Sequence, residues 1–227
     1  MSPSTKTIVY DWNGTLFDDT AIACRCFSIV VEDLGYPPIS LDAFRQHFEV
    51  PFDRLYRGLG LSETDIEKIG NALTGKSHDY YEPLADKAPL REGVSDFLAY
   101  AKTNGFRQII LSNHMVDPIN RQLNRLKITP FITEVLANAS REKQFLDGSK
   151  SERLQHYLAN NGLEPLQTII VGDSPEETHI AHSLGLISVA VTGGYVTEPR
   201  LRAAQPDYLI HSFSDMPALL NNKRFTA

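Results

Sequence analysis

Cysteine is nearly absent from this 227-residue chain, which has only Cys24 and Cys26. They stand two residues apart with no second pair, which excludes a zinc knuckle or a disulfide framework and leads us to expect a reduced, cytoplasmic protein. No apolar run approaches the roughly 18 residues of a membrane span, and no charged-then-apolar leader precedes the first strand-like run, so no membrane partner is expected. Positive charge is also scarce. The 22 Lys and Arg against 28 Asp and Glu leave a net charge of −6. That balance argues against sequence-blind nucleic-acid binding, which needs a basic footprint. It leaves room for a phosphorylated small molecule, because a metal and a few local cations outweigh a distant acidic surface. Internal repeats and low-complexity segments are absent from the sequence.

What is there is ordinary globular composition, 42% hydrophobic and 22% charged. It suffices for one core plus a sizeable insertion. Apolar runs at Thr7–Tyr10, Gln108–Leu111, Thr168–Val171 and Ile187–Val191, with a weaker one at Asp207–Ile210, read as strands. Helical patterns separate them at Gly93–Lys102, Pro118–Leu126, Ser151–Asn160 and Pro175–Leu184, and another follows at Ser214–Leu220. Such alternation predicts an α/β fold, a doubly wound parallel sheet with right-handed crossovers.

One region breaks the alternation. Residues 20–85 show no strand and read as short helices at Ala21–Leu34, Leu41–His47, Phe52–Leu59, Ser62–Leu73 and Ser77–Ala85. Ser40 and Ser62 suit N-caps, and Pro37, Pro38 and Pro51 divide the set. The expected division is a core of residues 1–19 and 86–227 with a helical subdomain, 20–85, inserted after the first strand. Residues 221–227 are expected to form a loose tail.

Polar residues follow the strand-like runs. Asp11 ends the first, within Asp11-Trp12-Asn13-Gly14-Thr15. Ser112 and Asn113 end the second, and Asp173 ends another within Gly172-Asp173-Ser174-Pro175-Glu176-Glu177. Lys150 opens the helix before that strand. In a parallel sheet all strand C-termini share one edge, so these side chains can converge. Asp173 could equally cap the Pro175 helix, and Lys150 taken alone reads as a solvated helix start.

The order and spacing of these motifs resemble the haloacid dehalogenase superfamily of aspartate-nucleophile phosphotransferases, in its phosphoglycolate-phosphatase-like branch with a helical cap. The resemblance covers nearly the whole chain and implies a Rossmann-like core. It further implies a Mg²⁺-dependent phosphatase of a small phosphorylated metabolite acting through an aspartyl-phosphate. In that reading Asp11 is the nucleophile. The Asp11 carboxylate, the Asn13 backbone carbonyl and Asp173 would be metal ligands. Ser112 and the Asn113 backbone N–H would hold phosphoryl oxygens, and Lys150 would neutralise charge beside Asp11. Glu177 stands where the family has Asp, and would reach the metal through a water or hold Lys150.

Asn13 departs from the family, whose second aspartate protonates the leaving group and then activates water. An amide can do neither, and a general acid or base is worth about 10²–10⁴ in rate. Turnover restricted to leaving groups that need no proton is one consequence. Replacement by another group such as His114 is a second, and a catalytically weak phospholigand-binding or regulatory protein is the alternative function. In the insertion, Arg54 and Arg57 are candidates to hold a substrate carboxylate or second phosphate. The aromatic residues Phe44, Phe48, Phe52, Tyr56, Tyr80 and Tyr81 read as core of the insertion.

Overall fold

The structure, a computed structural model, describes residues 6–69, 76–139 and 149–221, and of 76–79 the backbone alone. Six parallel strands form one sheet: β1 (Thr7–Tyr10), β2 (Arg107–Met115), β3 (Glu134–Asn138), β4 (Thr168–Gly172), β5 (Ile187–Val191) and β6 (Tyr208–Ile210). Their order is β3-β2-β1-β4-β5-β6. Connections run one way from β1 to β2 and β3, and the other way from β4 to β6. The strand order therefore reverses between β1 and β4, where open α/β sheets hold ligands beyond the strand C-termini.

Both sheet faces are covered. Ile8 and Tyr10 point to one face, packing with Val94, Phe97 and Leu98 of α6 (Val94–Thr103) and Ile119 and Leu123 of α7 (Val116–Arg125). Val9 points to the other, against Leu154 and Leu158 of α8 (Lys150–Asn161) and Ile180 of α9 (Pro175–Leu184). The period-2 alternation of a strand thus buries every β1 side chain, and all four are fully covered. Two further helices close the chain, α10 (Glu198–Ala203) and α11 (Met216–Leu220).

Between β1 and α6 lie five helices and no strand among the described residues: α1 (Thr20–Glu32), α2 (Leu41–His47), α3 (Asp53–Gly58), α4 (Glu63–Ile69) and α5 (Lys76–Ala85). Ser40 caps α2 by accepting from the Ala43 N–H at 3.1 Å, and the Ser62 hydroxyl accepts from the Asp65 N–H at 3.1 Å. Phe27, Phe44, Phe48, Leu55 and Tyr56 form the helical cluster, which continues into Tyr195, Val196 and Leu201 beyond β5. The expected extension of the fourth helix to Leu73 and the tail at 222–227 lie outside the described residues.

β3 and β2 differ from expectation, and α10 has no counterpart among the helical patterns read from the sequence. β3 has no counterpart among the strand-like runs, since Glu134-Val135-Leu136-Ala137-Asn138 is a short edge strand, only partly buried, whose apolar stretch is three residues between polar ends. β2 does not stop at Leu111. Its pairing with β3 shifts register between Leu111 and Met115, so Ser112, Asn113 and His114 sit in an irregular extension of the strand.

Candidate active site

Asp11 follows β1 directly, its N–H donating to the Val171 carbonyl of β4 at 2.9 Å. The next residues turn sharply. Trp12 is fully buried, stacked on Phe17 with ring centroids 5.0 Å apart, and donates its indole N–H to Gln122 at 2.9 Å. Gly14 has φ +70°, and a Cβ there would lie 2.3 Å from Asp173 Oδ2. Only glycine permits both the left-handed backbone and the close approach of the β4 carboxylate.

Thr15 then bridges the two acids. Its hydroxyl lies 2.8 Å from Asp173 Oδ1 and 3.4 Å from Asp11 Oδ2. Asp173 accepts a further bond at 2.5 Å from the Tyr195 N–H. The cap of α9 is Ser174 rather than Asp173. Its side chain accepts from the Glu176 N–H at 3.1 Å and donates to Glu177 Oε2 at 2.8 Å, which leaves the Asp173 carboxylate to face Thr15 and Tyr195.

Lys150 is the first residue of α8, fixed by a capping box between Ser149 and Glu152. It is 3% exposed, far from the solvated helix start that its position alone suggests. Its ammonium bonds Asp11 Oδ1 at 2.8 Å, pairs closely with Glu177 and approaches Glu176 at 3.7 Å. Of the two roles considered for Glu177, this geometry corresponds to holding Lys150.

Charge and burial work against each other here. Burial pushes the Asp11 carboxyl well above the usual range, Lys150 opposes this, and Glu177 and Asp173 add to it. Burial raises Asp173 to about 6, the Tyr195 N–H lowers it and Glu177 raises it. Burial alone would lower Lys150, but Asp11, Glu177 and Glu176 hold it well above the ordinary lysine value.

Ser112 and Asn113 close the site from β2. Ser112 is 1% exposed and its hydroxyl accepts from the His114 N–H at 3.0 Å. Asn113 is tied down from several sides. Its carbonyl accepts from Asn138 at 2.6 Å, its side-chain N–H donates to Glu176 at 3.0 Å, and Arg153 donates to the neighbouring Ser112 carbonyl at 3.0 Å. His114 turns to Glu82 of α5, with Nε2 and Oε1 3.2 Å apart.

Asn13 is held by groups that the sequence did not single out. Its Nδ2 donates to Asp19 Oδ2 at 2.9 Å and to the Tyr81 hydroxyl at 2.7 Å. Asp19 is fully buried and also receives the Tyr81 and Tyr195 hydroxyls, at 2.5 and 2.6 Å, and the Gly14 N–H at 2.8 Å. Burial raises its carboxyl, against these four donors. The Asp18-Asp19 doublet was the only signal available, and it does not reveal that α5 and the loop after β5 deliver tyrosines to one oxygen.

Asp11, Asn13, Ser112, Asn113, Lys150, Asp173 and Glu177 all line one cavity of about 840 Å³ between the sheet edge and the helices of the insertion. Arg54 lines it too, paired with Glu49. Arg57 does not; it lies on the exposed side of α3, bound to Asp53 and to Glu63. Phe48, Phe52 and Tyr81, read from sequence as core, also reach the wall, whereas Phe44 and Tyr56 are buried.

The donor set suits a hard cation. Asp11 and Asp173 present carboxylates from adjacent strands, and the Asn13 backbone carbonyl accepts no hydrogen bond among the described residues. One ammonium faces three carboxylates and Asp173 stands beside them, so the site is acidic in excess. Among the described residues no three His, Cys, Asp or Glu side chains group as a metal cage. Two carboxylates and a carbonyl fit an ion that keeps several waters, as Mg²⁺ does.

Residues 8–191 match the model of the haloacid dehalogenase-like hydrolases, and the chain belongs to that family. Over 211 residues it is 28% identical to a phosphoglycolate phosphatase of Synechococcus elongatus, covering 93% of this chain and 95% of that protein. Another phosphoglycolate phosphatase, from Aliivibrio fischeri, is 25% identical over 231 residues, 99% of this chain and 100% of the other. Among solved structures, a haloacid dehalogenase-like hydrolase of Streptococcus pneumoniae superposes with a TM-score of 0.78 at 23% identity, covering 96% and 99% of the two chains. The relatives place the chain with the phosphatases of the family. No helix among the described residues is long and apolar enough to cross a membrane.

Proposed function

We propose that the protein is a Mg²⁺-dependent phosphatase of a small phosphorylated metabolite and that Asp11 is its nucleophile. The observation that carries this is the pair Asp11 and Asp173, joined through Thr15 and opening on one cavity with Ser112 and Lys150. Asp11 Oδ attacks phosphorus, the ester P–O bond breaks, and an aspartyl-phosphate forms that water then opens. Lys150 favours the ionised form of Asp11 against burial and aims it, and Ser112 with the Asn113 N–H receives phosphoryl oxygens. Asp11, the Asn13 carbonyl and Asp173 would hold Mg²⁺, which supplies charge neutralisation for the meeting of two anions. Residues 20–85 act as a cap over the core of 1–19 and 86–227, excluding water from the bound ester. Phosphoglycolate, the substrate in the relatives' names, is the first compound to assay.

A second reading, a phospholigand-binding protein with weak turnover, is favoured by one observation: both Asn13 amide hydrogens are already engaged, so position 13 offers no proton. Steady-state hydrolysis of an aryl phosphate with and without Mg²⁺ separates the two. The phosphatase reading expects metal-dependent turnover that Asp11→Asn reduces by about 10⁴. Absence of metal-dependent turnover favours the second reading, and activity surviving in Asp11→Asn removes the nucleophile assignment.

A further inference from the structure

We infer that the group released from phosphorus is an aryloxide carrying an apolar body, rather than the alkoxide of a small carboxylic acid; the inference rests on the phosphatase reading and narrows its substrate class. The first support is the far wall of the cavity. Ala23, Cys26, Phe27, Phe48, Val50 and Phe52 line it from the helical insertion. A cavity of about 840 Å³ greatly exceeds what a two-carbon phospho-acid fills.

A carboxylate leaving portion needs a cation with valence to spare. Three strong cations line the cavity among the described residues; two are paired with carboxylates and the third is turned to backbone carbonyls. Lys150 faces Asp11, Glu176 and Glu177. Arg54 pairs with Glu49, itself a lining residue. Arg200 donates to the carbonyls of Arg45, Gln46 and Phe48, at 3.2, 3.1 and 2.9 Å, and so binds α2 to α10. On the helical wall a second carboxylate would meet chiefly apolar and aromatic side chains.

The second support is independent and lies at Asn13. Its two amide hydrogens are committed to Asp19 and Tyr81. When Asp11 bonds to phosphorus, the electron pair of the breaking P–O bond must stay on the leaving oxygen with no proton from position 13. A phenol-type oxygen, with a pKa of about 10, carries that pair far more readily than an alkoxide. It takes its proton from solvent after release. Chamber and amide therefore select the same kind of leaving group.

The test is steady-state kinetics on the full chain with saturating Mg²⁺, using 1-naphthyl phosphate, cyclohexylmethyl phosphate and phosphoglycolate. The aryl ester should exceed phosphoglycolate in kcat/KM by about 10². The cyclohexylmethyl ester, equally apolar but an alkyl leaving group, should bind comparably and turn over about 10² more slowly. Phe52→Ala should raise KM for the naphthyl ester about tenfold and leave that for phosphoglycolate within about twofold. Val50→Glu, at a position 44% exposed, repeats this test on the wall should Phe52→Ala fold poorly. Phosphoglycolate turned over as well as the aryl ester, or wall variants that slow both alike, would overturn the inference. Were no ester hydrolysed with metal, the phosphatase reading itself would fail, and calorimetric binding would decide. Tighter binding of naphthyl phosphate by about tenfold or more sustains the apolar chamber, and equal binding removes it.

Discussion

On the sheet side of the cavity, Asp11, Lys150, Asp173 and Glu177 are 2–9% exposed and joined by bonds that cross from β1 to β4, α8 and α9. On the helical side, Val50 and the Arg54–Glu49 pair stand open to solvent and the remaining wall is apolar. One wall is buried and densely bonded because buried ions survive only when every partner is in place. The other is under no such constraint, and a change in a lining side chain there alters what fits without disturbing the charged network. In the proposed function the sheet edge carries the reaction, and the helices select what the reaction is done to.

The comparison can be broken first at its most charged point. Lys150→Met leaves Asp11 and Glu177 buried beside each other without a cation, which should cost about 3–5 kcal/mol of stability. It should also lower kcat by about 10²–10³. Thermal unfolding together with kcat measures both, and a variant with wild-type stability would show that the network is not coupled as described.

A smaller effect belongs to Asn13. Restoring the family residue by Asn13→Asp alone sets a carboxylate beside Asp19, where the amide now donates at 2.9 Å. Two buried acids at that distance share a proton, so the new group is not free to cycle. The pair Asn13→Asp with Asp19→Asn should raise kcat for an alkyl phosphate by about 10², and the single variant by clearly less. Equal gains in both would show that Asp19 does not restrain position 13.

The smallest expected effect sharpens the acidic side. Asp173 titrates at about 6 in the metal-free protein against 3.8 for an ordinary aspartate. A folded-state value raised in this way favours the protonated form. Its stabilising contribution is complete below pH 3.8 and disappears as pH rises through 6. A divalent ion replaces that proton, so Mg²⁺ should stabilise the fold more at pH 7.5 than at pH 5. At a hundredfold excess over Kd the gain is about 2.7 kcal/mol, or about 5–10 °C in Tm. Equal shifts at the two pH values, or a shift that persists in Asp173→Asn, would contradict the metal assignment.

The same contrast governs how far the sequence could be read. Asp11, Lys150 and Asp173 were legible because each follows a strand or opens a helix, and a parallel sheet brings those points to one edge. β3 was not, since its partly buried edge strand carries only the three apolar residues Val135, Leu136 and Ala137 between polar ends. Asp19, Tyr81 and Tyr195 were invisible as a set. Their meeting depends on how α1, α5 and the loop after β5 pack, and no local pattern encodes that. Arg54 and Arg57 looked equivalent three residues apart, and only the packing of α3 turns one toward the cavity and the other to Asp53 and Glu63.

The most direct test is chemical trapping of the covalent intermediate. With no acid or base at position 13, opening of the aspartyl-phosphate should lag behind its formation, so the intermediate should accumulate in a single turnover. Acid quench, borohydride reduction and peptide mass spectrometry should then find reduction of the Asp11 side chain in the peptide spanning Val9 to Thr15, dependent on Mg²⁺ and substrate. Phosphate release at the wild-type rate with Asp11 unmodified, or with the modification at another carboxylate, would contradict the account.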